Sequence, residues 1–188
     1  AGGNNANREG VNQIEIIYRE RKAIGTALVG FEPQEKSFSE LNRAVSGGQW
    51  FRSQAEAETF GENEDRFHLI LPGRIADELG IATQDILTAD GQRLPEEELP
   101  SVRMMGHTWK VIGILDTDKA DRIRDINGKS LALVDYVKSA ITPNMGGNLE
   151  AEDEHVHMLW NDLILLPVSA RLDVGADWLS LAVKFPEN

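Results

Sequence analysis

The sequence predicts an α+β domain built on a mixed, mainly antiparallel sheet with a few short helices packed on it. Three observations lead there. Apolar runs of strand length recur between turns rich in glycine and proline. The clearest helical run places Ile75, Ala76 and Leu79 on one face, between Pro72 at its start and Gly80 as a left-handed stop. Two strand-like runs flank Gly106-His107 at the separation of a two-residue hairpin.

Residues 1–12 read as a linker or frayed end, and residues 13–188 as one domain with an inserted loop region at 135–161. Ile14 to Tyr18 is a first strand and Ile24 to Phe31 a second, stopped by Pro33, which cannot continue a ladder. Ser37-Phe38-Ser39-Glu40 has the capping-box spacing, so a helix is expected to carry Phe38, Leu41 and Val45 inward and to end at Gly47-Gly48. The acidic segment Glu56 to Asp65 reads as a surface excursion.

A strand at Phe67 to Leu71 leads into the helix ending at Gly80. A further strand is expected at Asp85 to Thr88, then a turn at Ala89-Asp90-Gly91 and a charged loop at Pro95 to Glu98. In the hairpin, Val102 to Met105 should pair with Thr108 to Ile112, and Gly113 marks a bulge or a close backbone approach. A polar helical turn to about Arg124 follows, with strands at Leu131 to Val134, Asp162 to Leu166 and Leu179 to Phe185.

Composition excludes several classes of function. The 188 residues are enough for one sizeable core, and 41% hydrophobic with 27% charged residues is ordinary globular usage. Lys and Arg number 19 against 31 Asp and Glu, a net charge of −12, which repels phosphate backbones and argues against nucleic acid. The same excess opposes adsorption to anionic lipid; the small basic patch Arg19, Arg21 and Lys22 could still face headgroups, but a solvated surface is its plainer account. With no cysteine there is no disulfide, thiolate metal site or cysteine nucleophile, and the chain is compatible with an oxidising compartment. No apolar run approaches the roughly 20 residues that span a bilayer, and Ala1 to Asn5 is not a signal peptide.

Candidate sites each have a plainer structural account. His155 and His157 alternate along Glu154-His155-Val156-His157 and could share a cation, but no third ligand is placed beside them. Asp116, Asp118 and Asp121 could gather round calcium, yet the spacing lacks the glycine and terminal acid of a calcium loop; acids at a helix start explain them without an ion. His68 is expected on the polar face of its strand and His107 at a turn. Trp109 should pack in the core, Trp160 and Trp178 should be partly exposed, and Trp50 could serve either role. Gly47-Gly48 and Gly146-Gly147 are turns, since neither is followed by the Lys-Ser/Thr of a phosphate loop. No catalytic, cofactor or metal site is assigned.

Leu69 to Ile81 contains Ala76-Asp77-Glu78-Leu79-Gly80-Ile81, and after a variable span comes Gly106-His107-Thr108-Trp109-Lys110-Val111-Ile112-Gly113-Ile114-Leu115. Upstream stand Val29-Gly30-Phe31-Glu32-Pro33 and Gly47-Gly48-Gln49-Trp50-Phe51; downstream stand Asp162 to Pro167 and Ser180 to Lys184. In this order the pieces resemble the MacB-like periplasmic core domain of FtsX-like ABC-transporter permeases, over most of residues 24 to 185. The loop Glu96 to Glu98 and the span Asp135 to Asn161 are longer than the family pattern.

The resemblance implies a non-catalytic extracytoplasmic domain between two transmembrane segments, needing no cofactor and coupling ATP-driven motion to substrate handling or partner docking. It implies as partners the transmembrane helices of the same permease and its ATPase subunit, with a second permease copy and a periplasmic adaptor or lipoprotein as further possibilities. Two other classes stay open: a free-standing extracytoplasmic ligand-binding module, and a metal-dependent hydrolase using the histidines and the Asp116 cluster.

Overall fold

The computed structural model describes residues 13–37, 39–53, 67–124, 128–134, 157–170 and 173–175. Eight strands among them form one sheet: β1 (Ile14–Tyr18), β2 (Arg21–Gly25), β3 (Ala27–Phe31), β4 (Val45–Gly48), β5 (His68–Pro72), β6 (Ser101–Met104), β7 (His107–Leu115) and β8 (Leu163–Pro167). The order is β2-β1-β6-β7-β5-β8-β3, with β4 also on β7. Only β3 with β8 and β5 with β7 run parallel; the other pairings are antiparallel. The sheet is mixed and mainly antiparallel, as the sequence predicts.

The nine-residue β7 is the spine of this sheet. β6 pairs with its first half and β4 with its last residues, while β5 takes the other edge. Gly113 is the point of close approach. β5 shifts register there, pairing Leu69 with Val111 and then Ile70 with Gly113, and Gly48 lies opposite. A Cβ atom on Gly113 would come within 2.9 Å of the Val45 side chain, so glycine lets β4 close on β7.

The expected strand Ile24 to Phe31 is in fact two. β2 pairs with β1 and β3 with β8, at opposite ends of the strand order, although Thr26 alone separates them. Since adjacent Cα atoms are about 3.8 Å apart, the sheet must roll up until its two ends meet at Thr26. The Thr26 N–H donates to the Asp162 carbonyl at 2.9 Å, and Gly25 leaves room for Ile164. Periodicity cannot show that a continuous apolar run changes partners midway.

The helix expected from Ser37 to Val45 is absent. Pro33–Ser37 and Leu41–Ala44 are 3-10 turns, and Val45 to Gly48 is strand β4. Glu40, the acid of the supposed capping box, sits at φ 58°, where a right-handed helix cannot continue. Pairing of Gly47 and Gly48 with β7 then demands extended chain. Phe38 lies outside the described residues.

Helix α1 (Gly73–Leu79) follows β5 directly, buries Ile75, Ala76 and Leu79, and ends at Gly80 with φ 72°, as expected. Asp85 to Thr88 is not a strand: Thr83–Asp85 is a 3-10 turn and only Leu87 forms a bridge, to Arg93. The Asp85 carboxylate accepts the Ala82 N–H at 2.8 Å, a local bond that favours the turn over a ladder. Helix α2 (Thr117–Ala120) is the expected polar turn. Leu131 to Val134 makes only an isolated bridge, Val134 to His157. Glu56 to Asp65, most of the 135–161 region and Leu179 to Phe185 lie outside the described residues.

The core gathers Ile16, Leu41, Phe51, Ile70, Trp109, Val111, Trp160 and Leu165, all essentially inaccessible. Arg74 clips its rim. Its guanidinium donates to the Asp162 carboxylate at 2.7 Å and the Ile24 carbonyl at 2.8 Å, and pairs with Glu78 at 2.5 Å, so α1, β2 and the start of β8 are joined.

Candidate functional site

Strand direction defines two ends of the sheet. β1, β5 and β7 run one way and β2, β3, β4, β6 and β8 the other. The starts of β1 and β5, the β6–β7 turn and the end of β8 therefore share one end.

The β6–β7 turn is the prominent feature there. Met104 pairs with His107, so the turn residues are Met105-Gly106 and not the expected Gly106-His107. Both have positive φ, 51° and 79°, which defines the type I′ turn that matches strand twist; glycine is needed second because Met105 already bears the first strained angle. The Trp109 indole N–H donates to the Met104 carbonyl at 3.0 Å and stiffens the tip from inside. Met105 itself is 48% exposed.

Beside the turn, Phe67 stacks on His107 with ring centroids 5.5 Å apart and meets Trp109 edge-on at 5.4 Å. β1 pairs with β6 through Ile16 and Ile17, and beyond that pairing Gln13 and Ile14 face Arg103, Met105 and Thr108 across an open groove of about 510 Å³. The end is mixed in chemistry: an apolar tip and stacked rings beside exposed Arg103.

Behind the rings lies a charged cluster. His68 is not on a solvated face but buried, because the segment around Arg93 to Leu99 folds over it. Its Nε2–H donates to the Glu96 carboxylate at 2.7 Å. The Arg93 side chain, only 4% exposed, stands 3.8 Å from Glu96, and Lys110 Nζ donates to the Leu99 carbonyl at 3.4 Å. The hydrogen bond from His68 is the largest influence holding Glu96 below its ordinary pKa; burial opposes it, and Arg93 and Lys110 add to it. The charged loop expected at Pro95 to Glu98 thus carries one acid paired with a buried histidine. His68 and Glu96 stand 28 positions apart and share no element, and no local pattern joins them.

The other sequence candidates fall elsewhere. His157 Nδ1–H donates to the Ala132 carbonyl at 2.7 Å, and His155 is outside the described residues. Asp116 is the N-cap of α2: it accepts the Lys119 N–H at 3.0 Å, which with the Lys119 ammonium holds its pKa down. Among the described residues no three His, Asp or Glu side chains converge as a metal site. Trp109 is in the core as expected, but Trp160 is buried too, at 1% exposure, since the 3-10 turn Trp160–Asp162 tucks it under the sheet. Trp50 packs between Phe31 and Phe51, and Trp178 is outside the described residues. Arg19 and Arg21 flank the β1–β2 turn, at the end opposite the Met105 tip, and Lys22 is paired with Glu15 at 2.8 Å.

Met105, Phe67 and Arg103 escaped the sequence reading. A signal was available: Ser101 to Leu115 contains no acid in a chain carrying 31.

No family model matches the chain, and no curated protein does. Among solved structures, it is similar to the extracellular domain of the noncanonic ABC-type transporter YknZ from Gram-positive bacteria: 20% identity, TM-score 0.36, covering 56% of this chain and 46% of that one. It is also similar to the periplasmic region of MacB from Actinobacillus actinomycetemcomitans: 10% identity, TM-score 0.40, covering 86% of this chain and 46% of that one. The chain thus spans about half the length of each. No helix among the described residues is long and apolar enough to cross a membrane.

Proposed function

We propose that this chain is a non-catalytic, extracytoplasmic domain of an ABC-transporter permease, carried between transmembrane segments and passing their ATP-driven motion to a substrate or docking partner. The observation that carries this reading is topological. Segments far apart in sequence meet as neighbours in one mixed sheet, β3 beside β8 and β5 between β8 and β7. The motif-bearing segments also fit together. β5, β7, β8 and β3 hold the pieces that resemble the MacB-like core, and they are successive neighbours across the sheet in the order β7-β5-β8-β3.

A rolled sheet clipped by Arg74 suits a body that moves as a unit. Its partners on this reading are the permease's own helices, the ATPase subunit they engage and a second permease copy, with an adaptor or lipoprotein outside the membrane. A metal-dependent hydrolase is less well supported, because His157 and Asp116 are each engaged in separate local hydrogen bonds.

Topology mapping of the parent gene product tests the proposal. Reporter fusions in the exposed turn at Asp90-Gly91 should be active outside the cytoplasmic membrane, with apolar spans encoded on both sides of this stretch. A parent lacking spans on either side, or a fusion reporting a cytoplasmic location, would overturn it.

A further inference from the structure

We draw no further inference here: the strongest candidate, the exposed apolar tip of the β6–β7 hairpin at Met105 with Phe67 beside it and the open groove toward β1, carries none because nothing in the structure shows what covers it.

Discussion

The buried imidazole of His68 donates its Nε2–H to the carboxylate of Glu96 at 2.7 Å, tying strand β5 to the segment that covers it. Glu96→Ala removes the charged acceptor from a buried donor. It should destabilise the domain by about 1–3 kcal/mol, read as a lower midpoint in urea at unchanged slope. Glu96→Gln keeps an acceptor and should lose less. Equal stability of both variants and the unmodified chain would show that the contact does not hold the covering segment down.

The same pair sets a pH dependence. Glu96 is held below its ordinary value of 4.5, first by the His68 hydrogen bond, and Asp116 below 3.8, first by the Lys119 N–H. An acid with a depressed folded pKa contributes stability above its ordinary value and loses it as pH falls through the depressed one. Unfolding midpoints should therefore drop as pH falls below about 4.5, and the slope should be shallower in Glu96→Gln. Glu35 works in the opposite sense, because burial raises it: the folded state resists its ionisation, and Glu35→Gln should remove a small loss of stability as pH rises through this range.

Arg74 joins three segments with one guanidinium, so lysine is a poor substitute. Arg74→Lys should cost about 1 kcal/mol, discounted because the side chain is 35% exposed. A double-mutant cycle between Arg74→Ala and Asp162→Ala should give a coupling of about 0.5 kcal/mol or more. Additive effects would mean the clip is incidental.

Two glycines with positive φ should respond very differently to alanine. A Cβ atom on Gly48 would lie 2.1 Å from the Ile112 carbonyl oxygen, an overlap between backbones that only separation of β4 from β7 can relieve. Gly48→Ala should cost at least about 3 kcal/mol. At Gly106 the space is open, and the penalty should be the conformational one alone, about 1 kcal/mol. Thermal melts of the two variants should differ accordingly.

Where neighbouring residues settle the conformation, the sequence was readable. Ile75, Ala76, Leu79 and Gly80 specify α1 because spacing and a left-handed stop act within two turns. The β6–β7 pairing was equally plain, though its turn moved by one residue once Met105 adopted positive φ. Ser37 to Glu40 shows the limit of such rules: a good capping pattern yielded to the pairing of Gly47 and Gly48 with β7.

The candidate site was less legible for the same physical reason. Local hydrophobic pattern by itself determined the mixed sheet, its one firm helix and its tight hairpin, and composition alone set aside nucleic acid and cysteine chemistry. Only tertiary structure decided that Ile24 to Phe31 divides between the two ends of a rolled sheet, that His68 is buried against Glu96, and that Met105 shares an end with the start of β1 and the end of β8. Those outcomes depend on which distant strand occupies each edge, a competition among long-range pairings that no short window of residues encodes.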